Sequence, residues 1–358
     1  MSKTPLILLL LLQLLLLLGS DASNAGQTIN ARCQDSCGGM PIPYPFGIGG
    51  GCFRPGFEMT CDGDQPFLVG GMKPTRVSRL FVETAEARVM LPIGWQCFNS
   101  SKEVNNSNTG DVEFNRDGVY RISYTHNHFV VLGCNTFGYT GSHRNQGVDD
   151  YDYSEGYYTG CLCYCNDTAN VVSGACSGVG CCNIDIAPGL SDNTVSFDEN
   201  YTRMISLDFS PCDYAFLVEK ESYTFSTADL RMDVHRTMPV RLDWAIRDNP
   251  TCGEAKKNET QGGFACVSDN SDCLNSTNGP GYVCNCSMGY EGNPYVANGC
   301  KGKLYAMSMS VNVQTNTLAM ASAGTIWVPT NASAPRVPTV LIPSKIPATQ
   351  NFLSQHRL

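Results

Sequence analysis

Short stretches of strict apolar–polar alternation recur along the chain, as in Val119-Tyr120-Arg121-Ile122-Ser123-Tyr124 and Arg203-Met204-Ile205-Ser206-Leu207-Asp208-Phe209. A period of two sends alternate side chains to opposite faces of an extended backbone, so each stretch predicts a half-buried strand. Gly, Asn and Pro separate the runs, as turn residues do between strands. No long segment repeats apolar residues at helical spacing. The one long apolar block lies at the start, Leu6 to Leu12 and, after Gln13, Leu14 to Leu18. Lys3 precedes it and Ala22, Ser23 and Ala25 follow, which predicts a cleaved secretory signal over residues 1–25. The block is shorter than the ~20 residues of a bilayer-spanning helix. Near the other end, Leu318 to Val328 is broken by Ser322, Gly324 and Thr325, so no later span is expected.

Cysteine usage agrees with export. The 358 residues include 19 cysteines, thirteen between Cys33 and Cys212 and six between Cys252 and Cys300. Disulfides persist where the surroundings are oxidising. Asn99, Asn105, Asn166, Asn200, Asn258, Asn275, Asn285 and Asn331 each head an Asn-x-Ser/Thr triplet, which predicts a glycosylated surface. The formal charge of −9 argues against generic nucleic-acid binding, which needs a basic face. The fold class expected is mostly β and disulfide-rich: a cysteine-stapled β region, a small second module, then a disordered tail.

A series of motifs carries a resemblance. Cys33-Gln34-Asp35-Ser36-Cys37-Gly38-Gly39 leads to Ile42-Pro43-Tyr44-Pro45-Phe46-Gly47-Ile48 and Gly51-Cys52. Gly94-Trp95-Gln96-Cys97, Gly133-Cys134-Asn135-Thr136, Gly178-Val179-Gly180-Cys181-Cys182, Pro211-Cys212-Asp213-Tyr214-Ala215-Phe216 and Leu242-Asp243-Trp244-Ala245-Ile246 follow. The string closely resembles the galacturonan-binding module at the front of plant wall-associated receptor kinases. Cys252 to Cys300, with Gly289, Tyr290 and Gly292 in the last loop, looks like an epidermal-growth-factor-like module. That likeness implies the pairs Cys252–Cys273, Cys266–Cys284 and Cys286–Cys300, although six cysteines alone allow fifteen connectivities. Asp248-Asn249-Pro250-Thr251 lacks the acidic pair of calcium-binding versions. The implied domains are a galacturonan-binding module over 26–130, an associated cysteine-rich region over 131–247 and the EGF-like module over 248–300.

Two departures from the family stand out. Thirteen cysteines cannot all pair among themselves, and within Cys161-Leu162-Cys163-Tyr164-Cys165 the family implies Cys163 as the free thiol. Residues 301–358 lack cysteine and are rich in Ser, Thr, Pro and Ala, a linker composition. Back-translated two bases out of phase from Ala306, the tail permits a cysteine-containing string like a second, calcium-type module. It is therefore expected to be unstructured and frame-shifted, in a chain that stops before the membrane span and kinase of its relatives.

The ligand implied by the resemblance is de-esterified pectin, a polyanion of galacturonate, as free chains or oligogalacturonides. Arg and Lys bind carboxylates, Arg often with two parallel hydrogen bonds. Residues 26–130 hold 9 basic and 10 acidic side chains, and residues 131–251 hold 7 and 17. The candidate cations are Lys73, Arg76, Arg79 and Arg88, with Arg54 nearby, against a bland reading as solvated loop charges. Arg76 and Arg79 fall at odd spacing and in a regular strand would face opposite ways. Tyr44, Phe46 and Phe53 offer rings for sugar stacking, or else form a packed turn. No cofactor is expected; calcium enters only as a bridge between pectin and the acidic half. His126 and His128 read as surface histidines rather than a metal site. No nucleophile elbow, zinc-protease motif or kinase catalytic loop is present in the sequence, which points to non-catalytic binding in the cell wall. The rival readings are a secreted or decoy ectodomain that binds a peptide or a full-length receptor kinase, and a nonfunctional truncated product.

Overall fold

The computed structural model describes residues 33–71, 73–115, 118–142, 157–198, 208–258 and 263–303. The signal segment, Asn200, Asn331, most of the expected 203–209 strand and nearly all of the 301–358 tail lie outside these residues. What is described is mainly β-structure. A seven-stranded sheet runs in the spatial order Tyr120–Ile122, Thr237–Trp244, Glu86–Pro92, Thr75–Phe81, Gln65–Leu68, Glu58–Asp62, Gly47–Ile48. A five-stranded sheet has the order Cys181–Asp185, Asn127–Leu132, Cys212–Glu219, Gly94–Phe98, Val104–Asn108. A four-stranded sheet follows the order Val112–Glu113, Asp192–Phe197, Thr136–Ser142, Tyr157–Cys163. The first two sheets each take strands from both sides of residue 130, and the Cys97–Cys212 disulfide ties two neighbouring strands 115 residues apart in sequence.

Alternation sets the large sheet's faces. Along Thr237–Trp244, Met238, Val240, Leu242 and Trp244 are buried while Pro239, Arg241 and Asp243 reach outward. The neighbouring Glu86–Pro92 strand buries Ala87, Val89 and Leu91 and leaves Glu86, Arg88 and Met90 on the other side. The inner face packs on Phe129, Val131, Ala215 and Leu217 of the five-stranded sheet. That sheet's opposite face, with Val130, Leu132, Tyr214, Phe216 and Val218, builds a second core with Phe225 and Leu230. Covered on both faces, Cys212–Glu219 is buried at every position, and so its sequence shows no alternation.

The Tyr120–Ile122 strand departs from the half-buried expectation: all three residues are buried. Arg121 lies on the side that should face water, and a turn of the EGF-like segment closes over it. Asn278 in that turn donates to the Ile122 carbonyl at 3.1 Å and to Asp243 Oδ2 at 2.8 Å, and accepts from Gly189 N–H at 2.7 Å. The segment itself starts with a one-and-a-half-turn helix, Cys252–Lys257, whose first turn is capped by Thr251 Oγ1 accepting from Glu254 N–H. Two small hairpins follow, Ser271–Asn275 with Tyr282–Cys286 and Tyr290–Gly292 with Cys300–Gly302. Disulfides join Cys252–Cys273, Cys266–Cys284 and Cys286–Cys300.

This segment does not form a core of its own. Ile246 and Tyr282 exchange two backbone hydrogen bonds, and the Trp244 and Tyr295 rings lie 5.4 Å apart. Tyr282, Cys284 and Tyr295 belong to the same apolar cluster as Phe46, Phe57 and Trp244. Those last three rings meet edge to face at 5.2–5.4 Å, the geometry that their quadrupoles favour.

A candidate polyanion-binding face

The outer face of the seven-stranded sheet gathers the cations. The Thr75–Phe81 strand carries a bulge between Val77 and Arg79. A bulge sets two residues against one and resets the alternation. Val77 points into the core, and Arg76 and Arg79 are both exposed. The opposed orientation expected from their spacing is therefore corrected: Ser78 takes up the odd residue, its hydroxyl donating to the Arg88 carbonyl at 3.1 Å.

Register then lines up three arginines. Arg79 lies opposite Arg88, and Arg88 opposite Arg241 on the next strand. Like charges directly across a sheet repel, so such a row needs counter-charges. Glu219 supplies one: Arg88 reaches it with Nε at 2.7 Å and Nη2 at 2.9 Å, and Arg241 binds the same carboxylate through Nε at 3.1 Å and Nη2. Glu86 supplies the other, with Arg241 Nη1 at 2.7 Å and His126 Nε2 at 2.9 Å. Burial works against the Glu219 carboxylate, yet hydrogen bonds from Arg88, Arg241 and Ser222 outweigh it and hold its pKa at about 2. The Phe81 ring lies between guanidinium groups, 4.8 Å from Arg79 and 4.4 Å from Arg241.

Two classes of cation result. Arg88 and Arg241 are held by buried carboxylates and act as framework. Arg76, Arg79 and Lys73 are exposed and meet no carboxylate among the described residues. The face can thus present guanidinium groups to an incoming anion over a rigid charged base.

The other candidates lie elsewhere. The Arg54 side chain is only 14% exposed, pairs with Asp248 at 2.5 Å and donates to the Gly263 carbonyl, so it joins the EGF-like segment to the sheet. Burial raises the Tyr44 phenol, an effect that Arg54 partly offsets, and the Tyr44 carbonyl accepts from Asn293 at 2.6 Å. Phe46 is 1% exposed and lies in the ring cluster, and Phe53 packs against the same core. Arg54 is thus taken up by Asp248 and Gly263, and Phe46 by the Phe57 and Trp244 rings, so both carry packing roles here.

His126 is bound to Glu86, and His128 sits across from Asp185 and Val218 with its pKa lowered by burial and by Lys220. Among the described residues no three His, Cys, Asp or Glu side chains converge as metal ligands would. Of the described sequon asparagines, Asn105, Asn166, Asn258 and Asn275 are exposed, and Asn99 and Asn285 are half-buried. Cys163 is buried without a disulfide partner. Sequence reasoning missed Arg241, Glu219, Glu86 and Phe81. The alternating run Met238-Pro239-Val240-Arg241-Leu242-Asp243-Trp244 was a signal for an outward Arg241, but nothing local placed it beside Arg88.

Residues 33–90, which carry Lys73, Arg76, Arg79 and Arg88, match the family described as wall-associated receptor kinase galacturonan-binding. Wall-associated receptor kinase 2 of Arabidopsis thaliana is 34% identical over 275 residues, 75% of this chain and 34% of that protein. Wall-associated receptor kinase 5 of the same plant is 32% identical over 277 residues, with the same two shares.

The chain is a wall-associated-receptor-kinase-like ectodomain. It spans about a third of the length of the curated relatives it matches. No solved structure matches this wall-associated-receptor-kinase-like chain. Among its described residues no helix is long and apolar enough to cross a membrane. The match to the galacturonan-binding family ends at Arg88-Val89-Met90, in the middle of the arginine row.

Proposed function

We propose that this chain binds de-esterified pectin, through galacturonate carboxylates, on the outer face of the seven-stranded sheet. The observation that carries the reading is the pair Arg76 and Arg79, on one face through the bulge and without carboxylate partners among the described residues, beside Arg88 and Arg241, which are already neutralised. The family description of residues 33–90 supports the same ligand class. The act is recognition without catalysis, performed by an exported protein in the cell wall; in a full-length relative it would inform a kinase across the membrane.

Oligogalacturonide binding to the full chain, followed over a salt series with and without calcium, tests this. Exposed guanidinium–carboxylate contacts weaken as salt screens them, so affinity should fall steadily with ionic strength. Arg76→Ala with Arg79→Ala should weaken binding by about tenfold, on the order of 1.4 kcal/mol, with little change in stability. Equal binding of methyl-esterified chains, or indifference to the double substitution, would overturn the reading. Binding seen only with calcium would move the site to the acidic half.

A second reading, a protein partner such as a secreted peptide or another receptor, is favoured by a different surface. Tyr158, Leu162 and Tyr164 are 46%, 40% and 58% exposed along and just after the Tyr157–Cys163 strand. A saturable protein partner unaffected by pectin would favour it.

A further inference from the structure

Cys161 and Cys163 stand two positions apart on Tyr157–Cys163, the outermost strand of the four-stranded sheet, so their side chains leave the same face. Nine disulfides use eighteen of the cysteines, and the nineteenth is Cys163, 0% exposed. It is not isolated. Cys161 is bonded to Cys182, and the Cys163 Sγ lies 3.2 Å from that same Cys182 Sγ. A second contact, 3.2 Å from the Val131 carbonyl oxygen, fixes the sulfur in place. Three sulfurs on two neighbouring elements are thus arranged so that either cysteine of one strand can reach Cys182 of the other.

We infer that Cys161, Cys163 and Cys182 form a thiol–disulfide exchange site. The Cys163 thiolate attacks Cys182 Sγ, the Cys163–Cys182 bond forms as the Cys161–Cys182 bond breaks, and the electron pair departs on Cys161 Sγ. Cys161 takes up one proton for the one that Cys163 gave up, so the step needs no outside oxidant or reductant. Its effect is positional. The free thiol moves from a fully buried site to a half-buried one on an outer strand, where a small-molecule disulfide such as glutathione disulfide can reach it. That second exchange would leave a mixed disulfide on Cys161 and release one equivalent of the small thiol. The resting state is protected. Burial, and then the Asp213 carboxylate on Cys212–Glu219, push the Cys163 thiol up to about 12, against a smaller opposing pull from the Cys182 backbone.

The test uses the full chain, oxidised and native. N-ethylmaleimide is applied at pH 7, 8 and 9, the protein is then denatured in acid, and non-reduced peptides are mapped by mass spectrometry. The expected result is label on Cys161 together with a Cys163–Cys182 linked peptide, accumulating about tenfold faster per pH unit as the thiolate fraction grows. Glutathione disulfide in place of the maleimide should add one glutathione, at Cys161. Label confined to Cys163, label scattered over many cysteines, or an intact Cys161–Cys182 peptide at every pH would overturn the inference. Two variants check it independently. Cys163→Ser should abolish labelling of Cys161, and Cys161→Ser oxidised by glutathione disulfide should yield a Cys163–Cys182 disulfide with release of two glutathione thiols. Folded Cys161→Ser protein with both remaining thiols free would also overturn it.

Discussion

Glu219 sits beneath two arginines that would otherwise repel across the sheet, and its ionised form carries that arrangement. Because its folded pKa lies below the ordinary carboxylate value, its stabilisation is present above about pH 4.5 and is lost as pH falls toward about 2. The shift corresponds to on the order of 3 kcal/mol. Thermal melts between pH 5 and pH 2 should show this loss, and Glu219→Gln should be less stable at pH 6 and flatter across that window. Asn278 is the second residue whose removal should be felt beyond its size. It is buried and serves Ile122, Asp243 and Gly189 at once. Asn278→Ala should cost about 2 kcal/mol in denaturant titration, since its buried partners are left unpaired.

At the scale of the element, the bulge in Thr75–Phe81 decides which side chains a ligand can meet. Deleting Ser78 would remove the odd residue and set Arg76 and Arg79 at even spacing, both still outward with Val77 inward. Such a variant should keep its oligogalacturonide affinity within about threefold, roughly 0.7 kcal/mol, as should Ser78→Ala, and loss of binding in either would show that the shared face of the two arginines is not what carries the site. The bulge also marks the limit of what could be read in advance. The strand within Val119–Tyr124 was legible from alternation, and the cationic run Lys73, Arg76, Arg79, Arg88 from composition. A bulge has no local signature in Arg-Val-Ser-Arg, and the pairing of Arg88 with Arg241 depends on a strand more than 140 residues later. Cys212–Glu219 was opaque for the opposite reason: both of its faces are covered, so no alternation survives to be seen. Arg54 looked like a ligand group because Asp248 and Gly263, which hold it, lie some two hundred residues away in sequence, and Phe46 because Trp244, against which it packs, lies about as far.

At the scale of the whole molecule, the EGF-like segment completes the fold it was expected only to follow. Trp244 and Tyr282 are buried against groups on either side of residue 248, and Arg54 reaches across to Asp248 and Gly263. Residues 33–303 should therefore unfold in one calorimetric transition. A chain ended at Arg247 should lose that cooperativity and bind a hydrophobic dye, because the Trp244 ring and its neighbours would be uncovered. Two separate transitions in the longer chain would show instead that the segment is an independent unit.

The Thr237–Trp244 strand, second from one edge of the seven-stranded sheet, runs almost directly into that segment. A pull applied at Lys303 passes through Cys300–Cys286, Cys284–Cys266 and Cys273–Cys252 with little room to pay out slack, and arrives at Trp244. There it loads a strand hydrogen-bonded to Glu86–Pro92 along one edge and to Tyr120–Ile122 along the other, in shear, with the bonds resisting together rather than one at a time. Arg241 lies on that strand, so tension at Lys303 is felt along the arginine row.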